Sequence, residues 1–313
     1  MNIFIELPTW LGDAIMTTPA IEEILEIYPD AKISFFGSYV STEALKTHPN
    51  CSHIILDESK KSKSRFLWLY KTAKSLGTFD LAISFRSSFS TKALLYFVDA
   101  KQKFQYKKNH FRGHQVEKYS HFIATSLQIQ SSPKALKLYQ KPHHFTRPTL
   151  GINPGATYGS AKRWYPDEFA KVADYFAKDF DIVIFGGPGE IKIANEVAEH
   201  IRAQNVTNLA GKTSIQSLIQ QIAGLSLFVS NDSGPMHIAA AYQVPTVALF
   251  GPTRYDETAP WQNPNSFIIS HDLACAPCMK RVCPIHTHEC MKGIKAAEVI
   301  TRINAHLKTQ KVI

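Results

Sequence analysis

Apolar residues fall in short blocks along this chain, separated by glycine, proline and polar punctuation. Residues 2–6 form a block of strand length, and residues 13–28 repeat Ile15, Ile21, Ile24, Leu25 and Ile27 at helical spacing. The same patterning predicts strands at 32–36, 53–56, 80–85 and 103–106, and helices at 42–47, 65–76, 91–98 and 114–127. A His/Thr/Arg/Pro stretch at 142–148 reads as a linker. Beyond it the alternation begins again, with strands at 149–153, 181–185, 227–230, 246–250 and 267–270 and helices at 166–178, 190–203, 215–223 and 296–308. Two runs of alternating strand and helix predict an α/β fold with two parallel sheets. The expected domains are residues 1–147 and 148–313, the last helix packing back on the first domain. The length of 313 residues suits two domains of about 150 better than one core. Ligands of such sheets bind at the carboxyl ends of strands, so a shared ligand is expected in a cleft between the domains.

Four segments at predicted strand ends carry candidate chemistry. In 231–241, NDSGPMHIAAA, Asp232, Ser233 and Gly234 fall at a sharp turn into a short helix. Unpaired amides converge at such a helix start and suit an anion, most often phosphate. Asp232 is unusual there, because a carboxylate repels a diphosphate unless it faces sugar hydroxyls. The alternative is that Asp232 or Ser233 caps the helix. Segment 7–13, LPTWLGD, has Gly12 for a tight turn and Asp13 at a helix start, as an N-cap or a general base. Segment 153–164, NPGATYGSAKRW, combines Gly155 and Gly159 with the hydroxyls of Thr157 and Ser160 and the charges of Lys162 and Arg163. Close backbone approach plus neutralisation is what a diphosphate needs. The spacing is not that of a P-loop, which argues against nucleoside triphosphate hydrolysis. Trp164 reads as a core anchor. Segment 185–190, FGGPGE, ends in Glu190, either a first-turn helix residue or an acceptor for ribose hydroxyls; it does not satisfy GxGxxG.

Charge sharpens the choice of ligand only slightly. The net charge is +9, and the densest basic stretch is 101–118, where Lys101, Lys103, Lys107, Lys108, Arg112 and Lys118 face Glu117 alone. It reads either as a solvated edge strand and loop or as a docking surface for a polyanion. The composition is that of an ordinary globular protein, and no apolar run approaches the roughly 18 residues of a spanning helix. Glu6 and Asp13 near the start, without a basic n-region, argue against a signal peptide, so a cytoplasmic address is expected.

Taken in order, LPTWLGDAIMTTPAIEEI, NPGATYGSAKRWYPDEF, NDSGPMHIAAA and FGPT (250–253) resemble the lipopolysaccharide heptosyltransferases of glycosyltransferase family 9. The resemblance runs from about residue 3 to about residue 300, and within the family it is strongest to members that add a second heptose to the first heptose of the inner core. It implies an inverting glycosyltransferase of GT-B architecture, with two facing Rossmann-like domains, using ADP-heptose and no metal or other cofactor. The implied acceptor is heptosyl-Kdo2-lipid A, met at the cytoplasmic membrane face by peripheral association. On the family's pattern Asp13 is the catalytic base and Lys162 holds the donor diphosphate and assists catalysis. Thr157, Asp232, Ser233, Gly234 and His237 join the donor pocket, Asp232 on the heptose hydroxyls; Glu190, on the ribose, is a looser match. Arg86, Lys103 and Lys107 are candidate acceptor contacts, the two lysines because the basic stretch fits an acceptor of phosphorylated Kdo and lipid A.

Cys275, Cys278, Cys283 and Cys290 form CxxC-x4-C-x6-C, with His286 and His288 in the last interval. The density fits a structural zinc site, whereas the second pair lacks knuckle spacing and fits reduced, packed thiols. The family resembled here shares a Cys-rich segment near this point. Cys51 is expected to be buried and inert. Two other functions fit parts of the pattern. One is a sugar-nucleotide epimerase or a transferase with another donor. The other is a nucleotide-responsive or polyanion-binding protein. Nucleic acid is disfavoured, because no recognisable module is present and the basic residues are not interleaved with stacking aromatics.

Overall fold

The structure, a computed structural model, describes residues 1–108 and 111–310. It divides into two compact units, Met1–Gln140 and Lys141–Ile313. The division falls a few residues before the expected one. Leu136 and Leu138 are buried, and Gln140 Nε2 donates to Ala44 O within the first unit. His143 N already donates to Gln220 O in the second.

The first unit holds β1 (Asn2–Glu6), β2 (Lys32–Gly37), β3 (Cys51–Leu56), β4 (Thr78–Ser84) and β5 (Asp99–Gln105), all parallel, in the order β3-β2-β1-β4-β5. Phe4, Phe36 and Phe79 build part of its core with Leu69 and Leu94 from two covering helices. The single helix expected over 13–28 is two, Leu11–Met16 and Thr18–Ile27. Pro19 has no amide to offer the Ile15 carbonyl, and the Thr18 hydroxyl donates there instead at 2.8 Å.

The second unit holds β6 (Thr149–Asn153), β7 (Asp181–Ile184), β8 (Val206–Asn208), β9 (Leu227–Asn231), β10 (Thr246–Leu249) and β11 (Ser266–Ile269), also parallel, in the order β11-β10-β9-β6-β7-β8. Trp164 is a core anchor, as expected: it is buried in this unit's core and its indole N–H donates to Ile294 O at 3.1 Å. Val299 and Ile303 of the final helix, Ala296–Gln310, belong to the same core. Strand order reverses between β1 and β4 in one sheet and between β6 and β9 in the other. Those reversals are where open parallel sheets leave room for ligands at their carboxyl edge. No helix among the described residues is long and apolar enough to cross a membrane.

Candidate active site

In the second unit β6 and β9 lie side by side and both end in a buried asparagine, Asn153 and Asn231. Asn153 Nδ2 donates to Gly155 O at 3.2 Å and to Ser233 Oγ at 3.1 Å. Asn231 Nδ2 donates to Pro154 O at 2.8 Å, and its Oδ1 accepts the Trp164 amide at 3.1 Å. Two amide side chains thus tie the loop after β6 to the turn after β9.

Across that junction Lys162 Nζ lies 2.5 Å from Asp232 Oδ2, and Thr253 Oγ1 donates to the same oxygen at 2.6 Å. Lys162 also stands 4.7 Å over the Tyr158 ring. The carboxylate that sits awkwardly beside an anion site is therefore neutralised by the neighbouring lysine. Ser233 occupies the N-cap of the helix Gly234–Ala241, yet its side chain makes no capping bond. It is bonded to Asn153 and to Ser230, 3.2 Å away. A side-chain cap by Ser233 is thus not what the turn is built for, and the Asp232 carboxylate points to Lys162 and Thr253. His237 lies one turn further along the helix and is buried.

Glu190 closes a short 3-10 turn, Pro188–Glu190. Its Oε2 accepts the Gly187 amide at 2.8 Å and its Oε1 the Thr157 hydroxyl at 3.4 Å. A Cβ on Gly155 would stand 2.2 Å from the Glu190 carboxyl carbon, so any side chain there would displace that carboxylate. Thr157 and Glu190 are brought together, as are Lys162, Asp232 and Ser233.

The four clustered cysteines line one small hollow with Ala161, Pro252 and His288. All are free thiols; Cys290 is buried and Cys275 exposed. Amides of the 285–288 backbone, His288 first, hold the Cys283 thiol below the usual thiol range. Burial pushes the Cys290 thiol up, helped by the other three sulfurs. Among the described residues no group of three or more His, Cys, Asp or Glu side chains is placed to share a metal ion. The segment buttresses the loop that carries Lys162. Ala161 N donates to Arg281 O at 3.0 Å, and His288 Nε2 meets Ala161 O at 2.8 Å. Cys51, expected to be buried, is half-buried on the edge strand β3.

In the first unit Asp13 lies in the first turn of Leu11–Met16, behind an N-cap position held by Trp10. It is half-exposed and does not occupy the N-cap. Its charge adds to burial in raising the Tyr119 phenol well above the usual range. Ser38 Oγ pins the preceding loop by donating to Thr9 O at 2.7 Å. Arg86 reaches Glu6 Oε1 at 3.0 Å and Asp57 Oδ2 at 3.5 Å, so its charge is shared by two carboxylates. Glu6 is almost fully buried and also accepts from Ser84 and Thr91, at 2.6 and 3.2 Å. Burial pushes its carboxyl above the usual range despite these partners. Lys103 and Lys107 are exposed, and Lys103 Nζ donates to Tyr96 O at 3.4 Å. Residues 109 and 110 of the basic stretch lie outside the described residues.

Asn153, Asn231, Tyr158, Thr253 and Glu6 were not singled out from sequence. Thr253 stood in the FGPT stretch, and the two asparagines opened two of the strand-end segments, so the signal was present without a role attached.

Two Rossmann-like units in one chain, each a parallel sheet with a reversal of strand order, give the GT-B fold. The family model described as glycosyltransferase family 9 (heptosyltransferase) matches residues 101–288. The chain is 45% identical over 319 residues to lipooligosaccharide heptosyltransferase 2 of Campylobacter jejuni, covering 98% of this chain and 99% of that one. Its fold matches the structure of Escherichia coli ADP-heptose LPS heptosyltransferase II with a TM-score of 0.82 at 22% identity, over 99% of this chain and 100% of the other. The glycosyl transferase family 9 structure from Veillonella parvula matches with a TM-score of 0.86 at 22% identity, over 98% and 97%. The chain belongs to glycosyltransferase family 9, the heptosyltransferases.

Proposed function

We propose that this enzyme moves a heptosyl residue from ADP-heptose to the first heptose of the lipopolysaccharide or lipooligosaccharide inner core. The observation that carries this is the end-to-end similarity to a heptosyltransferase 2, to which the site described above adds chemistry. The acceptor hydroxyl oxygen attacks the anomeric carbon, the bond from that carbon to the ADP oxygen breaks, and the configuration inverts. Asp13 takes the hydroxyl proton. A carboxylate is too weak a base to ionise a sugar hydroxyl beforehand, but it accepts the proton as the new bond forms. Such transfer contributes about 10²–10⁴ in rate.

Negative charge grows on the departing diphosphate. Lys162 and the amides at the start of Gly234–Ala241 supply fixed positive potential there, and this mechanism invokes no metal ion or other cofactor. Donor binding offers Lys162 a phosphate in place of Asp232, whose carboxylate is then released to the heptose hydroxyls. Thr157 joins the phosphate loop, Glu190 the ribose, and His237 backs the turn. Lys103 and Lys107 meet anionic groups of the acceptor. Arg86, with its charge shared by Glu6 and Asp57, orders the strand ends of the first unit and presents its remaining N–H groups. The acceptor is lipid-borne, so the enzyme works at the cytoplasmic face of the inner membrane by peripheral association.

ADP release tests the proposal. It should require ADP-heptose and a core acceptor together. Release or rearrangement of the donor without acceptor would point to an epimerase or a hydrolase.

A further inference from the structure

The first unit carries an apolar and basic face that the chemistry above does not use. Phe89 and Tyr96 are 75% and 81% exposed on the helix Phe89–Phe97, and Phe66 and Tyr70 are each 45% exposed on the neighbouring helix Arg65–Ser75. Helical spacing puts Phe89, Lys92 and Tyr96 on one stripe, and Phe66, Tyr70 and Lys74 on another. The stripes are continuous, with ring centroids 6.0 Å apart for Phe66–Phe89 and 5.4 Å for Tyr70–Phe97. Large side chains this exposed, gathered in one patch, mark an interaction surface.

Charge selects the partner. Residues 59–98 contain eight lysines and arginines, of which Lys61 pairs with Glu58 and Arg86 with Glu6 and Asp57, and one acid, Asp80, which is paired with Lys101 at 2.7 Å. Lys63, Lys71, Lys74 and Lys92 are exposed beside the rings. Aromatic rings bordered by lysines suit a membrane interface, where rings enter the headgroup layer and ammonium groups meet lipid phosphates. Both helices also begin at the carboxyl edge of their sheet, the edge that carries Asp13. A lipid-borne acceptor must bring its sugar to that edge while its acyl chains stay in the bilayer.

We infer that the face formed by helices Arg65–Ser75 and Phe89–Phe97 seats the enzyme on an anionic phospholipid bilayer. This rests on the proposal that the acceptor is lipid-borne, and vesicle binding tests it without any acceptor present. The full chain is mixed with vesicles of phosphatidylcholine alone or with phosphatidylglycerol, and pelleted. Binding should appear only with phosphatidylglycerol and weaken as salt is raised. Phe89→Ser/Tyr96→Ser and Lys71→Glu/Lys74→Glu/Lys92→Glu should each lower it at least tenfold while retaining transfer to a deacylated, water-soluble acceptor. Tyr96→Trp should show a blue-shifted emission on the anionic vesicles. Equal binding by wild type and variants, or no emission shift, would overturn the assignment. So would a dimer that Phe89→Ser/Tyr96→Ser dissociates, which would make the face a contact between copies. Failure of transfer to the soluble acceptor by the wild type would instead count against the proposed reaction.

Discussion

Lys162 and Asp232 form a single, largely buried ion pair, 2.5 Å apart, with Thr253 donating to the same carboxylate oxygen. The residue assigned to the diphosphate and the residue assigned to the sugar therefore neutralise each other before the donor arrives. Removing the lysine leaves a buried carboxylate beside the phosphate turn, which costs both a cation and a compensating charge. Lys162→Ala should weaken ADP binding by at least tenfold in calorimetry. Asp232→Asn should leave ADP affinity unchanged or tighter, because the lysine is released, while slowing turnover. Weaker ADP binding in Asp232→Asn would contradict this exchange of partners.

Asp13 belongs to the other unit, where it is proposed as the base. Asp13→Asn should lower kcat by at least a hundredfold with ADP affinity unchanged. Equal loss of ADP affinity in the Asp13 and Lys162 variants would end the division between base and donor cation.

Gly159 is constrained by backbone rather than by a mobile side chain. A Cβ there would stand 2.2 Å from the Arg281 carbonyl oxygen, against which Ala161 also hydrogen-bonds. Gly159→Ala should push the loop off the Cys-rich segment, raising the KM for ADP-heptose several-fold and lowering Tm by a few degrees. An unchanged KM would show that the buttress does not position Lys162.

Acid stability has an identifiable contributor. Burial of Glu22 raises its carboxyl pKa, but hydrogen bonds from His48, Lys137 and Tyr139 outweigh that and hold it at about 2 instead of 4.5. A depressed carboxylate stabilises the fold above its unfolded pKa and loses that contribution as pH falls through the folded one. Tm should therefore drop between about pH 5 and pH 2 by an amount equivalent to roughly 2 kcal/mol, and Glu22→Gln should flatten that part of the profile. An unaltered profile in the variant would assign the acid sensitivity elsewhere.

Much of the fold was legible because the central strands are buried on both faces. Residues 149–153 and 227–231 are buried throughout and read as apolar runs. β8 was missed because Val206–Asn208 is three half-polar residues, too short to show a period. The break at Thr17 was hidden because the apolar spacing continues through it, while Pro19 and the Thr18 hydroxyl decide it locally. Candidate site residues are legible segment by segment, as polar and glycine-rich stretches after strand ends. Their partnerships are not, because Lys162 and Asp232 are 70 positions apart and meet only where β9 crosses over to lie beside β6. The same holds for Arg86, whose two carboxylate partners come from different strand ends.

The central claim is the identity of the transfer, and truncated cores test it most directly. Purified enzyme is given ADP-heptose with lipid A–Kdo cores carrying zero, one or two heptoses, and the products are weighed by mass spectrometry. The account predicts one added heptose on the one-heptose core and none on the other two. Product from the core without heptose, or only from the core with two, would contradict it.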